Sequence, residues 1–280
     1  IWQSGGDGVV VVDGEFGRRL ADHAGRWALS FDVFQRPWGN HWMLTALEAF
    51  LAERPSTRWL WLTLCETSTG RIRDLDGLRQ LCASQGMELY LDAVSAIGAV
   101  PVDLQGVRMA SAVSGKALGS FAGLAVVLQN RPSGDLIPHP QRRQLPRYLD
   151  LELYNEGDGV PFTQSSHLVA ALDASLALYD STQIFDRIAC TAEWLRGQLI
   201  ELGFEIIIPE GECSPAVTTI AAPRANSSRA IGDHLKQRGI ELSYEEELHG
   251  TVGEQRVETN AAGRKLRVVS SELPLPGHDI

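Results

Sequence analysis

The sequence predicts an α/β protein with a large domain on a mostly parallel sheet and a smaller α+β domain after it. Over the first two-thirds of the chain, short β-branched runs alternate with helical stretches, which is typical of a parallel sheet covered by helices. From Phe204 the rhythm changes to strands that alternate with a single helix. We therefore expect a large domain over residues 1–160, a long connecting helical region over 161–202 and a small domain over 203–280.

The predicted strands of the large domain are short, largely apolar segments rich in β-branched or aromatic residues. The first of them, Val9–Val12, is apolar at every position, as expected of a strand that is covered on both faces. The full set is Val9–Val12, Trp27–Phe31, Trp59–Leu64, Glu88–Leu91, Met109–Ala112 and Ala122–Leu128.

Apolar residues at intervals of three and four predict the helices. The segment Leu75–Gln85 stops at Gly86, which suits the left-handed conformation at the C-terminal cap of a helix. A loop rich in Pro, Arg and Gln is predicted at Arg131–Pro146, and a long helical region runs from Ser165 to Leu202. The other predicted helices are Glu15–Ala24, Trp42–Glu53 and Arg229–Arg238, and the small-domain strands are Glu205–Ile208, Ala216–Ala221 and Leu266–Val269.

Composition argues against several classes of function. The formal net charge of −10 disfavours a broad nucleic-acid footprint, and no apolar run approaches the length of a membrane span. We therefore expect neither nucleic acid nor a membrane as a partner, and no metal site. The four cysteines lack CxxC spacing and are too few for a disulfide framework, which predicts reduced thiols in a cytoplasmic protein. They are Cys65, Cys82, Cys190 and Cys213.

Three segments that combine small, hydroxyl-bearing and charged residues stand where predicted strands end. Ligands of open α/β sheets collect outside the carboxyl ends of the strands, so these segments should converge. Taken together, they resemble the class-V aminotransferases, a family that includes serine–pyruvate, alanine–glyoxylate and 2-aminoethylphosphonate–pyruvate transaminases. The resemblance extends from about Asp7 to about Val269. The three segments are Glu66–Gly70 (ETSTG), Leu91–Ala96 (LDAVSA) and Ser111–Ala117 (SAVSGKA).

The resemblance implies the fold type I architecture of enzymes that use pyridoxal 5′-phosphate (PLP). It makes Lys116 the lysine that holds PLP as a Schiff base, and burial beside a cationic ring would favour the neutral amine that this bond needs. Asp92 would keep the pyridine nitrogen protonated, so that the ring withdraws electrons from a carbanion. The alternative interpretations are a surface lysine and a turn aspartate after a strand.

The resemblance also implies which residues surround the ring. Phe16 would stack on one ring face and Val94 would pack on the other, although either side chain also suits a plain core position. Thr67 would meet the phenolic oxygen, or would serve only the turn in which it lies. Ser114 is small enough for a cofactor to approach closely and is expected to contact it.

Two further segments match the family near the cofactor phosphate and the substrate. Thr163 would reach the phosphate in the neighbouring subunit of a homodimer, or would simply cap a helix. Arg267 would bind the substrate carboxylate as a bidentate fork, with Arg264 as a competitor and a solvated strand end as the alternative. Trp38 and Trp42 are expected to be exposed aromatic residues that help to form the dimer contact.

The chain departs from the family pattern at three places. The Ser-Gly-Thr-like loop that cradles the phosphate would lie before Ile1, so we expect that the intact protein contains a segment upstream of this chain. Gly115 precedes the lysine where relatives often supply a polar side chain. Ser270–Pro274 replaces the small turn that usually follows the arginine strand.

Three functional hypotheses follow. The leading one is amino transfer from a small donor of the 2-aminoethylphosphonate, alanine or serine type to pyruvate or glyoxylate. A PLP lyase or desulfurase of the same superfamily would need a mobile cysteine near the substrate, and Cys65, the nearest, ends a strand. The third hypothesis is a catalytically impaired, cofactor-poor homologue that acts as a partner subunit or fragment.

Overall fold

A computed structural model describes the larger part of the chain. The described residues are 1, 5–130, 146–157, 159–179, 183–221, 228–240, 243–245 and 265–269. Three positions of the sequence analysis lie outside them: Arg264, the turn at Ser270–Pro274 and all but the last residue of the loop at Arg131–Pro146. None of the helices in the described part is long and apolar enough to cross a membrane.

Eleven strands are described, and six of them form the main sheet in the order β2-β1-β3-β6-β7-β8. The first five of these are parallel to their neighbours and β8 is antiparallel to β7, which confirms the predicted, mostly parallel sheet. The strands are β1 (Asp7–Val12), β2 (Phe31–Gln35), β3 (Thr57–Thr63), β4 (Cys65–Glu66), β5 (Arg71–Ile72), β6 (Glu88–Asp92), β7 (Val107–Val113), β8 (Ala125–Gln129), β9 (Val217–Ala221), β10 (Ser243–Glu245) and β11 (Lys265–Val269).

Seven α-helices are described, and the first three alternate with the strands of the main sheet. Gly86 ends α3 with φ 67° and ψ 27°, as predicted, and the Asp74 side chain caps its start by accepting from the Gly77 N–H at 3.0 Å. The helices are α1 (Glu15–Arg26), α2 (Leu44–Ala52), α3 (Leu75–Gln85), α4 (Leu151–Glu156), α5 (Ser166–Ala177), α6 (Ile184–Glu201) and α7 (Ser228–Lys236).

The main core lies between the sheet and the helices α2 and α3. It consists of fully buried aliphatic side chains from the central strands, such as Val9, Leu60 and Leu89, which pack against Leu47 and Leu78 of the two helices. A smaller core on the opposite face packs α1 against β1 and β3. Because both faces of the sheet are covered, the middle positions of the strands β1, β3 and β6 are largely apolar.

The second sheet has three antiparallel strands in the order β10-β11-β9. It is joined to the short hairpin of β4 and β5 by two main-chain hydrogen bonds. The Ser214 N–H donates to the Gly70 carbonyl at 2.8 Å, and the Ile72 N–H donates to the Glu212 carbonyl at 2.9 Å. The segment that leads into β9 is therefore attached directly to the hairpin.

Two predictions for residues 1–202 were wrong in detail. The second strand begins at Phe31 rather than Trp27, because α1 continues to Arg26 and Ala28 then turns the chain with a positive φ of 48°. The long helical region is two helices, α5 and α6, rather than one. Tyr179, just after α5, donates its hydroxyl to the Gly98 carbonyl and so ties the end of that helix to the sheet edge.

The small domain differs from its prediction at two places. Glu205–Ile208 is not a strand: it makes a single bridge, between Ile206 and Ile220, before Pro209 removes the next N–H donor. The strand β10 was not predicted, because its three residues are too few to show a period.

Candidate active site

Four segments that follow parallel strands lie at one edge of the main sheet. They come after β1, β3, β6 and β7, whose carboxyl ends share this edge because the strands are parallel. The segments carry Phe16, Thr67, Asp92 and Lys116 respectively. This is the edge at which open α/β sheets bind ligands.

The amine of Lys116 lies between residues from two of the other segments. Its Nζ donates to Ser95 Oγ at 2.7 Å and lies 5.7 Å from the centroid of the Phe16 ring. Lys116 is exposed rather than buried, which differs from the expected burial, so its amine is accessible at the edge of the sheet. The convergence of Phe16 with Lys116 is as the strand order predicts.

Asp92 ends β6 one strand away from the lysine segment. Its Oδ1 accepts from the Val94 N–H at 3.0 Å and lies 3.5 Å from the Ser111 hydroxyl on β7. Asp92 therefore stabilises the turn after β6, which is the alternative role considered for it above. One carboxylate oxygen makes this turn bond, and a second role for the partly buried carboxylate is compatible with it.

Glu66 fixes the position of Phe16. Its carboxylate has no solvent exposure and accepts from the backbone N–H groups of Phe16 at 3.3 Å and Gly17 at 2.9 Å. It also accepts from the Ser68 hydroxyl at 2.5 Å, and that hydroxyl accepts from the Glu15 N–H at 2.9 Å. The carboxylate thus meets the free N–H groups and the positive end of the α1 dipole.

Thr67 provides the test of whether the edge suits PLP. Its side chain is 2% exposed, and its Oγ1 has no hydrogen-bond partner among the described residues. A buried hydroxyl without a partner costs free energy, so an oxygen supplied by a ligand would satisfy it. The family implies a phenolic oxygen at this place, and the residues present therefore fit the cofactor.

The Ser114 hydroxyl is bonded to the backbone of the turn after β7. The residue is fully buried, and its hydroxyl donates to the Phe121 carbonyl at 2.7 Å and accepts from the Leu124 N–H at 3.2 Å. These bonds hold the turn after β7 in shape. Ser114 therefore supports the lysine segment, and its expected contact with a cofactor stays a prediction.

Thr163 lies in the segment that leads into α5 and is exposed. It does not cap the helix, because Ser165 does so by accepting from the Leu168 N–H at 3.4 Å. The preceding residue, Phe162, packs on Tyr148 with the ring centroids 4.4 Å apart. These contacts leave the Thr163 side chain available to a ligand or a neighbouring chain.

Arg267 lies in the middle of β11, where its backbone pairs with Thr219 of β9. Thr219 adjoins the hairpin, since a Cβ built on Gly70 would lie 2.8 Å from Thr219 Oγ1. That hydroxyl is buried and has no hydrogen-bond partner in the described part of the chain. The strand of Arg267 is thus next to the strand that contacts the Thr67–Gly70 turn.

A buried ionic network beneath the edge was missed by the sequence analysis. Arg73 pairs with Asp13 at the end of β1 and donates to the carbonyl and hydroxyl of Thr63 at the end of β3. Trp42 donates from Nε1 to Asp13 at 2.8 Å. The pKa of Arg71 lies below its ordinary value, mainly because the side chain is buried and also because the charge of Arg73 is near. The carboxylates of Asp13 and Glu212 act in the opposite direction. No sequence pattern links these residues, which come from separate parts of the chain.

Trp42 also corrects the expectation that it forms an exposed contact surface. Its indole is partly buried, packs edge-on against Phe34 with ring centroids 5.2 Å apart and is bonded to Asp13. Trp38 is partly buried as well. Neither tryptophan is fully exposed.

We predict that Glu66→Gln lowers the free energy of unfolding by about 2–3 kcal/mol, because an amide nitrogen would face backbone donors in a buried site. Denaturant unfolding measures the change. The matched control is Glu15→Gln, whose carboxylate pairs with two exposed arginines at 2.7 and 3.2 Å and should contribute less than about 0.5 kcal/mol. Equal losses in the two variants would contradict the assigned role of Glu66.

A family model and several known proteins match most of this chain. The family model described as Aminotransferase class-V matches residues 28–244, and a model described as Penicillin-binding Protein dimerisation domain matches the shorter stretch 220–280. A 2-aminoethylphosphonate–pyruvate transaminase of Pseudomonas aeruginosa is 28% identical over 223 residues, which cover 77% of this chain and 60% of that protein. An alanine–glyoxylate aminotransferase of Callithrix jacchus is 27% identical over 257 residues, which cover 87% and 62% of the two chains.

A solved structure agrees with these matches. The crystal structure of an alanine–glyoxylate aminotransferase from Nostoc sp. superposes with a TM-score of 0.79 at 28% identity, over 96% of this chain and 71% of that one. The predicted fold type I architecture is therefore confirmed. The chain spans about 60% of the length of the relatives it matches. Because the class-V model matches well over half of its residues, the chain belongs to the class-V aminotransferase family.

Proposed function

We propose that this chain provides the catalytic core of a PLP-dependent aminotransferase. The observation that carries the proposal is the position of the Lys116 amine, 5.7 Å from the centroid of the Phe16 ring at the ligand-binding edge of the sheet. Thr67 supports it, because its buried hydroxyl lacks a partner among the described residues. These residues fit a flat aromatic cofactor that binds beside a lysine.

The residues would divide the work of amino transfer. When bound, PLP supplies an aromatic ring that withdraws electrons from the substrate carbon. Asp92 would hold a proton on the ring nitrogen, and Phe16 and Val94 would orient the ring from its two faces. The Lys116 amine would act as the general base and acid that holds and moves the proton of the substrate Cα. Thr163 would bind the phosphate and Arg267 the substrate carboxylate.

For the substrates, we propose a small amino donor of the 2-aminoethylphosphonate, alanine or serine type and pyruvate or glyoxylate as the acceptor. Relatives named 2-aminoethylphosphonate–pyruvate transaminase and alanine–glyoxylate aminotransferase support these two classes. A desulfurase reaction is not supported, because Cys65 is buried at 5% exposure and is part of the hydrophobic core.

We predict that Lys116 forms the covalent bond to the cofactor. The chain contains three lysines, Lys116, Lys236 and Lys265, so peptide mapping is unambiguous. After incubation with PLP and reduction by borohydride, mass spectrometry should find a pyridoxyl group on the Lys116 peptide. The Lys236 peptide, from the end of α7, serves as the internal control for nonspecific modification. A reduced protein with equal labelling at both peptides would refute the proposal.

We predict that Asp92→Asn folds normally but loses nearly all turnover, by at least about 100-fold. The amide lacks the negative charge that holds a proton on the ring nitrogen, while it can still accept from the Val94 N–H. Steady-state kinetics with alanine and glyoxylate measure the loss, and thermal unfolding checks the fold. Asp76→Asn, at an exposed aspartate on α3, is the control that should leave turnover unchanged. Normal turnover in Asp92→Asn would mean that Asp92 only stabilises the turn after β6.

We further propose a homodimer in the cytoplasm. Exposed apolar side chains surround both the lysine segment and the Thr163 segment, notably Phe121 at 73%, Tyr148 at 66% and Val160 at 54% exposure. A second copy of the chain would cover them and bring Thr163 to the neighbouring phosphate site. All four cysteines are free thiols, which supports a reducing compartment.

We predict that Val160→Glu weakens dimerisation by at least about tenfold, because a charge would replace an apolar side chain in the contact. Sedimentation equilibrium measures the dimer dissociation constant. The control is Val33→Glu, at a residue that is 37% exposed. Val33 lies on β2, the strand at the edge of the main sheet opposite to β8. A strictly monomeric protein with full transaminase activity would rule out a site shared between two chains.

A further inference from the structure

The hydrogen bond between Lys116 and Ser95 is a contact that the sequence analysis did not anticipate. Lys116 Nζ lies 2.7 Å from Ser95 Oγ. Ser95 is in the turn after β6, three residues beyond Asp92, and the lysine is in the turn after β7. One short side chain therefore connects the turn of the proposed ring-nitrogen partner to the proposed cofactor-binding lysine.

The backbone sets the separation of these two turns. Gly98 has a positive φ of 88°, and a Cβ built on it would lie 2.8 Å from the Ala117 carbonyl carbon and 2.9 Å from the Leu118 nitrogen. The turn of Ser95 thus lies directly against the turn of Lys116, at a distance that only glycine allows. Within the lysine turn, the Gly119 N–H donates to the Lys116 carbonyl at 2.8 Å.

Helix α5 and Tyr179, two residues after its end, hold both turns from one side. The Ser175 hydroxyl donates to the Leu118 carbonyl at 2.6 Å, and the Tyr179 hydroxyl donates to the Gly98 carbonyl. The bond between Lys116 and Ser95 consequently joins two supported segments.

A hydroxyl can bond to a lysine in both of its protonation states. It accepts a hydrogen bond from an ammonium group and can donate one to a neutral amine. A carboxylate in the same place would hold the ammonium form alone and would oppose the loss of its proton. Ser95 is therefore suited to an amine that gains and loses a proton without leaving its position.

We propose that Ser95 is a positioning residue for Lys116, and that its hydroxyl holds the free amine beside Phe16 whenever the lysine is not joined to a cofactor. This role rests on the proposed function, in which that amine carries protons. The bond to the ammonium form is charge-assisted and is the stronger of the two, so the hydroxyl also raises the affinity of the amine for its proton. Ser95 acts through the lysine and does not itself touch the substrate.

The test measures the titration of Lys116 in cofactor-free protein. Trace acetylation with acetic anhydride over a range of pH, followed by mass spectrometry, gives the midpoint for each lysine peptide. Ser95→Ala should lower the Lys116 midpoint by about half a unit to one unit, which corresponds to the loss of one hydrogen bond. The Lys236 midpoint should not change in the same samples.

A pair of isosteric variants separates the hydroxyl from the packing of the side chain. Ser95→Thr keeps the hydroxyl and should keep the wild-type midpoint, whereas Ser95→Val should show the shift. The control variant Ser84→Ala removes a hydroxyl that bonds only within α3, to the Leu81 carbonyl at 2.9 Å, and should leave Lys116 unaffected. Two results would overturn the proposal. One is the same shift of the Lys116 midpoint in Ser95→Thr and Ser95→Val, and the other is an unchanged midpoint in both Ser95→Ala and Ser95→Val.

The acetylation test of Ser95 and the tests of the proposed function can fail independently of each other. Acetylation needs neither cofactor nor substrate, so a chain without transaminase activity can still show the shift and support the role of Ser95 at the amine. Conversely, a pyridoxyl adduct on Lys116 together with an unchanged midpoint in Ser95→Ala would leave the proposed function standing and remove Ser95 from it.

Discussion

A carboxylate with no exposed surface is stable inside a protein only when donors surround it, and this constraint shapes the candidate site around Glu66. Its donors come from the first turn of α1 and from the hairpin turn between β4 and β5. Because the two segments share one charged group, neither can shift without breaking bonds to it. The Phe16 ring and the Thr67 hydroxyl are held relative to each other as a result.

Features that depend on neighbouring residues could be predicted from the sequence. The helix α3 is one example, since its apolar spacing and Gly86 are all local signals. The convergence of Phe16 and Lys116 is another, because parallel strands place the segments after them at one edge regardless of side-chain detail. The family resemblance added the roles of these residues, which spacing alone does not supply.

Features that depend on distant partners could not be predicted. The hydroxyl of Ser114 looked available for a ligand, but the fold places the Phe121 carbonyl and the Leu124 N–H beside it. The ion pair of Arg73 with Asp13 joins residues that are sixty positions apart in sequence. The start of β2 was misplaced for a local reason, the positive φ of Ala28, which the residue type does not reveal.

The main-chain hydrogen bonds that attach residues 212–214 to the hairpin have a mechanical consequence. Backbone bonds persist when side chains are substituted, so this attachment is insensitive to most mutations. It enters the hairpin at Gly70 and Ile72, within five residues of Thr67, and continues through Ser214 towards β9. Because Glu66 also bonds this hairpin to α1, the segment before β9 and the first turn of α1 are connected through one hairpin, which includes the Thr67 turn.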